Sequence, residues 1–216
     1  MMADNKMAFM IIGTGAEGRI ALDILQQLDV VVYGFVTDEE ELYLKEINDM
    51  LVAAKLGTDD CDTLLKDEHL KLIIAERDIE KRMALADLLS GVKTQITNVI
   101  HPQHSISEYA KLGRGNLISA GAVIQANVML GSFNLLESYV SIEPDAAIGD
   151  YCTIQAGTRI GKEVQIYNES MIGMGAIIHA GVSIGHSAII APGSVVLKDV
   201  EEGQTVFGNP AQAAGG

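Results

Sequence analysis

The sequence predicts two folded parts in series. An α/β, Rossmann-like domain spans residues 1–100, a left-handed parallel β-helix follows over 101–200, and a C-terminal cap and tail occupy 201–216. Three observations predict this. A short apolar strand runs into Gly13-Thr14-Gly15-Ala16-Glu17-Gly18 and then into a helical pattern. From Ile106 to Val196 every sixth residue is Ile, Leu or Val without exception. The apolar content is high at 48%, yet there is no Trp and only 5% aromatic residues, so the core is built from branched aliphatics in thin layers.

The first half alternates strands and helices. Met7–Ile12 is a short apolar run ending in glycine, hence a buried strand. Ala16–Leu28 places Ile20, Leu22, Ile24, Leu25 and Leu28 at mostly helical spacing. Val30–Val36 is the next strand, stopped by Thr37-Asp38-Glu39-Glu40. Leu70–Ala75 is a third strand, Arg77–Leu89 a second helix ended by Ser90-Gly91, and Gln95–Ile100 a last strand before His101-Pro102. This order implies a small parallel sheet with crossover helices. Glu39–Glu68 is acidic and weakly patterned, and its elements are not resolved by periodicity.

From Ile106 the period becomes six, which neither a helix nor an antiparallel strand has but a hexapeptide solenoid does. Each hexad supplies one short strand and one corner, and three hexads make a triangular coil of 18 residues. The branched residue points inward and stacks on its counterpart one coil on. Four residues later comes a mostly small residue, as at Ala122, Asn134, Ala146, Cys152 and Ser170, which suits a tight corner. Gly113, Gly131, Gly149 and Gly185 recur at the coil spacing or its multiple and are expected to supply positive φ at corners. No insertion breaks the register. A solenoid needs covered ends, which the α/β domain and the tail after Val200 can provide.

The formal charge of −14 disfavours nucleic acid and anionic membrane surfaces as partners. The two cysteines, Cys61 and Cys152, form neither a ligand cluster nor a disulfide framework and read as reduced thiols. No stretch has the apolar length of a transmembrane helix, and Met1–Lys6 shows no signal-peptide pattern, so a soluble cytoplasmic protein is expected.

The Gly13-x-Gly15-x-x-Gly18 run has the strand-to-helix context that phosphate binding requires, with Asp38 at the end of the next strand to accept from a ribose hydroxyl. The alternative is a tight turn that binds nothing. The domain is short for a full dinucleotide fold, which favours a nucleotide-linked sugar over NAD.

Val206-Phe207-Gly208-Asn209-Pro210-Ala211, after Pro192–Val200, resembles the terminal signature of hexapeptide acyltransferases. That resemblance implies coenzyme A binding by Gly208, Asn209 and Pro210, with Lys198 meeting its phosphates. A basic residue commonly follows this signature, whereas here Gln212 does. Over Met7–Ala211 the chain resembles the sialic-acid O-acetyltransferase and bacillosamine N-acetyltransferase family (the NeuD/PglD type). The residues that carry the likeness are the glycine motif, Leu56-Gly57-Thr58-Asp59, Ile100-His101-Pro102, the hexads and the Gly-Asn-Pro-Ala tail. The resemblance implies acetyl-CoA as co-substrate, a nucleotide-linked sugar held by the α/β domain, a homotrimer, and a histidine–carboxylate pair as general base.

This sequence departs from that pattern at the base. The motif falls on Ile142-Glu143-Pro144-Asp145-Ala146-Ala147-Ile148-Gly149, so Pro144 stands in the histidine position and Asp145 in that of its carboxylate partner. A second family histidine corresponds to Thr153, and the glycine-containing loop after the third strand reads Ala75-Glu76-Arg77-Asp78. Asp145 remains as a catalytic candidate. His179 shares its edge two coils away, about 10 Å at roughly 4.8 Å per coil; it reads first as a surface or interface residue and second as a base, as does His186. Losing a general base costs about 10²–10⁴ in rate, while proximity still supplies an effective molarity of roughly 10⁵–10⁸ M.

Two readings follow: an acetyl-CoA-dependent acyltransferase acting on a nucleotide-linked amino sugar in surface glycan synthesis, or a non-catalytic sugar-nucleotide-binding trimer. A metal enzyme on the same solenoid would need three converging histidines, which the spacing of His101, His104, His179 and His186 does not give, so no metal is expected.

Overall fold

The computed structural model describes residues 8–92 and 95–214, so Met7 and the last two residues of the expected tail lie outside it. The chain divides into two compact units, one ending at Pro102 and one beginning at Gln103.

The first unit is built on β1 (Ala8–Ile12), α1 (Ala16–Gln27), β2 (Val31–Thr37), β3 (Glu46–Ile47), β4 (Met50–Lys55), α2 (Asp59–Leu64), β5 (Leu70–Ile74), α3 (Ile79–Leu88) and β6 (Gln95–Ile96). The sheet order is β3-β4-β2-β1-β5-β6. All pairings are parallel except β3 with β4. The order turns back on itself at β1, which pairs with both β2 and β5, and β1 is correspondingly apolar over Met10, Ile11 and Ile12, all buried. α1 buries Ala21, Leu22, Ile24 and Leu25, whereas Ile20 and Leu28, counted with its apolar face from sequence, are exposed.

Three local features differ from the sequence reading. α3 starts at Ile79 because the Asp78 carboxylate accepts from Lys81 N–H at 2.9 Å, which caps the helix and leaves Arg77 in the preceding loop. The acidic stretch after Glu39 holds a 3₁₀ turn (Glu40–Leu42), a tight β3–β4 hairpin and α2. Asn48 and Asp49 form the hairpin turn with φ of 49° and 60°, and Thr58 caps α2. The last expected strand is two short ones, Gln95–Ile96 and Val99–Ile100.

The second unit is a three-faced parallel coil that fits the expected left-handed β-helix. Sixteen two-residue strands run from Ser105–Ile106 to Val195–Val196. The first thirteen each pair in parallel with the strand 18 residues on, as in Ser141↔Arg159↔Ile177↔Val195. Within this unit the first face begins at Ser105, the second at Lys111, the third at Leu117. The hexad aliphatics fill the interior; Ile142, Ile154, Ile160, Ile172 and Ile184 are each 0% exposed. The third face continues into Thr205–Gly208, which folds back as a hairpin with Ala211–Ala213. Among the described residues no helix is long and apolar enough to cross a membrane.

The corner glycines act differently from the expectation. Gly113, Gly131, Gly149 and Gly185 are not at positive φ. A Cβ there would lie 2.2–2.5 Å from atoms of the neighbouring coil, such as Asn168 Oδ1 at Gly149 and Glu202 N at Gly185, so these glycines permit close stacking. Positive φ instead recurs two residues later, at every sixth position from Gly115 to Gly193. Eight of those fourteen positions are not glycine, among them Asp145 (φ 64°), Glu163 and Tyr139. The coil geometry, not residue type, imposes this conformation.

Candidate functional site

In the first unit a cleft of about 290 Å³ opens just past the carboxyl ends of the parallel strands. This is where a doubly wound sheet binds ligands, beside the point at which the strand order reverses. One wall is the turn Gly13-Thr14-Gly15 with the start of α1. The floor is Thr37, Asp38, Glu39 and Leu56, which follow β2 and β4, and the other wall is Glu76 with Lys81, Ala84, Leu85 and Leu88 of α3. The spacing of the α3 residues places them on one helix face.

The glycine motif divides by role. Gly13 and Gly15 line the cleft. Gly13 has φ 110°, and a Cβ there would meet the Ala75 carbonyl oxygen at 2.4 Å, so glycine lets the β1–α1 turn touch the end of β5. Gly18 does not line the cleft: a Cβ would sit 2.1 Å from the Gly13 carbonyl oxygen and 3.4 Å from the Phe35 ring, so its work is packing α1 onto the sheet. Gly15 caps α1 without a side-chain hydrogen bond, leaving first-turn amides that the cap does not satisfy. Asp38 is exposed at the rim, and Thr37 Oγ1 accepts from Glu39 N–H at 3.1 Å.

The loop after β5, Ala75-Glu76-Arg77-Asp78, is held from two sides. Arg82 is fully buried and its Nη1 donates to the carbonyls of Glu76 (2.6 Å) and Arg77 (3.1 Å). Arg77 Nε donates to the Glu17 carboxylate at 2.6 Å, with Glu17 11% and Arg77 47% exposed at the side chain. Leu56 and Glu76 fall in segments the sequence already singled out, whereas Lys81 and the apolar α3 face escaped sequence reasoning because no motif marks that helix. The helical spacing of Lys81, Leu85 and Leu88 was the available signal.

In the second unit Pro144 and Asp145 lie on the edge between the first and second faces. Asp145 Oδ1 accepts from Asn127 Nδ2, one coil earlier, at 2.9 Å. The Pro144 carbonyl accepts from Glu163 N–H at 3.2 Å. The register of the first face continues Pro144 to Lys162, Ala180 and Lys198 in one column, and Glu143 to Gly161 and His179 in another. His179 therefore shares the edge but not the column of Pro144, and its Nδ1 is 3.1 Å from the Ala180 carbonyl oxygen. Thr153 is a fully buried residue of the third face, so within one chain it does not join Pro144. His186 stacks on Tyr167 with ring centroids 5.6 Å apart.

The residues expected to hold coenzyme A fall in two places. Lys198 is exposed at the end of the Pro144 column. Gly208, Asn209 and Pro210 form the turn of the terminal hairpin, where Gly208 N–H donates to Ser194 Oγ at 3.2 Å and Asn209–Pro210 is cis. Within one chain the first face separates these two groups. Among the described residues no group of three or more His, Cys, Asp or Glu is placed to hold a metal ion.

The chain matches no protein-family description and no curated protein. It is similar in fold to solved structures over nearly its whole length. A mutant perosamine N-acetyltransferase from Caulobacter crescentus, in complex with CoA and GDP-perosamine, superposes with a TM-score of 0.89 at 23% identity, covering 97% of each chain. The acetyltransferase domain of PglB from Neisseria gonorrhoeae gives 0.85 at 22% identity, over 96% of this chain and 99% of the other. WeeI from Acinetobacter baumannii gives 0.83 at 25% identity, over 95% and 99%.

Proposed function

We propose that this chain is an acetyl-CoA-dependent acyltransferase of the NeuD/PglD type that acetylates the amine of a nucleotide-linked amino sugar. The observation that carries this is the pairing of two ligand-sized features in one chain: a strand-end cleft lined by Gly13, Gly15 and Asp38, and an unbroken solenoid edge with Pro144, Asp145, Lys162 and Lys198 in register. Two of the structures of similar fold are acetyltransferases, one of them crystallised with CoA and a nucleotide sugar.

In this reading the cleft holds the nucleotide, with Asp38 accepting from the ribose. The anionic end of acetyl-CoA meets Lys198 and the Gly208-Asn209-Pro210 turn. Because these lie on different edges of one chain, a homotrimer in which neighbouring copies each contribute one of them satisfies both. From Lys198 to Pro144 is three coils, about 14 Å, a span a pantetheine arm can cover. The sugar amine attacks the thioester carbonyl, the C–S bond breaks, CoA leaves as the thiol, and the amine's surplus proton balances it. An amine in its free-base form needs no histidine for the attack, whereas a hydroxyl does, and this fits Pro144 in the base position. Asp145 is left to receive the proton or to orient the amine. A reaction that consumes acetyl-CoA and makes precursors of surface glycans belongs in the cytoplasm.

Pro144 also favours a second reading, a nucleotide-sugar-binding trimer without turnover. Incubating the protein with acetyl-CoA and either a UDP-4-amino sugar or GDP-perosamine, while following free thiol, separates the two. Thiol release above the uncatalysed rate is expected. Binding of the nucleotide sugars without release establishes the second reading.

A further inference from the structure

We infer that Lys81 is the side chain that meets the ligand's diphosphate in the strand-end cleft, an inference that rests on the nucleotide-sugar reading above. The cleft is lined by three carboxylates, Asp38, Glu39 and Glu76, and by one basic side chain, Lys81. A nucleoside diphosphate brings further negative charge into a chain already at −14. Its diphosphate is stable there only where cation and N–H donors are concentrated.

The other cations nearby do not line the cleft; the exposed Arg19 reaches the Thr14 carbonyl from outside it at 3.5 Å, and the rest are held by other groups. Arg77 is paired with Glu17, Arg82 is buried with its guanidinium on two backbone carbonyls, and Lys55 is paired with Glu40. Among the described residues, the Lys81 ammonium has no carboxylate within ion-pair distance, and the side chain is exposed. Only its backbone is fixed, by the 2.9 Å bond from Lys81 N–H to the Asp78 carboxylate. That bond places Lys81 in the first turn of α3, on the same wall as Leu85 and Leu88 but at the opposite end.

The cleft lining is thus mixed. Lys81 and the turn Gly13–Gly15, with the first-turn amides of α1 behind it, offer donors to a diphosphate; Leu56, Leu85 and Leu88 offer apolar surface to a base. A volume near 290 Å³ stands at the lower limit of small-molecule sites, roughly 300–1,000 Å³, and suits one nucleotide better than a dinucleotide.

The test is calorimetric titration of the full chain with UDP, GDP, UMP and uridine at low salt, for wild type, Lys81→Gln, Lys81→Arg and the control Lys71→Gln. Lys71 lies over the Phe9 ring and does not line the cleft. Wild type is expected to bind UDP more tightly than uridine. Lys81→Gln should lose roughly ten- to a hundredfold in UDP affinity with uridine unchanged, while Lys81→Arg and Lys71→Gln stay near wild type. UDP affinity unchanged in Lys81→Gln overturns the assignment of Lys81 and leaves the nucleotide reading standing. Wild type that binds neither UDP nor GDP overturns the nucleotide reading and this inference with it.

Discussion

The Arg77 guanidinium donates to the Glu17 carboxylate across 2.6 Å, joining the first turn of α1 to the loop after β5. The two residues stand on opposite sides of the point where the strand order reverses, and the pair ties those two segments together. Arg77→Ala leaves a largely buried carboxylate without this partner. It should lower stability by about 1–2 kcal/mol, less than for a fully buried pair because Arg77 is half exposed. Urea denaturation checks this. The double variant Glu17→Gln/Arg77→Met should recover part of the loss.

Asp38→Asn should weaken UDP binding about tenfold with no change in melting temperature, because Asp38 is exposed and holds nothing in the core. Gly13→Ala should instead lower stability, since its Cβ would collide with the Ala75 backbone. Comparing UDP titration with thermal melting for the two variants separates ligand contact from packing.

Pro144→His puts an imidazole beside Asp145, where the proposed reading would seat a general base. Turnover with an amino-sugar acceptor should rise by about 10², measured as CoA thiol release at saturating substrates. A rise in kcat without a matching change in KM is the expected signature.

The two kinds of corner glycine should respond differently to the same change. At Gly157 (φ 71°) an added methyl meets nothing within 4 Å, so Gly157→Ala costs only backbone strain, about 1–2 kcal/mol. At Gly149 the methyl would stand 2.2 Å from Asn168 Oδ1 and 2.8 Å from Asn168 N. Gly149→Ala should cost about 3 kcal/mol as the next coil is pushed away. Paired denaturation curves decide this.

Burial, and then the neighbouring Asp62 charge, push the Cys61 thiol above its ordinary pKa. Below that ordinary value the thiol is neutral in both states and folding is unaffected. As pH rises past it, only the unfolded chain ionises, so stability falls until the folded thiol also titrates. Cys61→Ala should flatten this alkaline loss in denaturation curves taken across that range.

The solenoid's repeat was legible because its period is a property of sequence: one aliphatic at each sixth position maps onto one strand per hexad, with no tertiary information needed. The glycine motif was legible too, but its three glycines look alike in sequence and differ in space. Gly18 packs against Gly13 and Phe35, and only coordinates show that. The meaning of Gly113, Gly131 and Gly149 was misread for the same reason, since the atoms they avoid belong to the next coil. The β3–β4 hairpin was hidden by its acidic flanks, although Asn48-Asp49 carried a turn signal. Lys81 was missed because a lone lysine on an amphipathic helix is ordinary until a cleft forms beside it.

The unbroken register between Pro144 and Lys198 makes the solenoid a ruler graduated in coils. Removing or inserting one 18-residue block between them would shift their separation by about 4.8 Å while leaving every interior contact type unchanged. If the proposed reading holds, the length of acyl donor that fits this edge is a counted quantity, set by how many repeats the gene contains, and it can change in whole steps without any new fold.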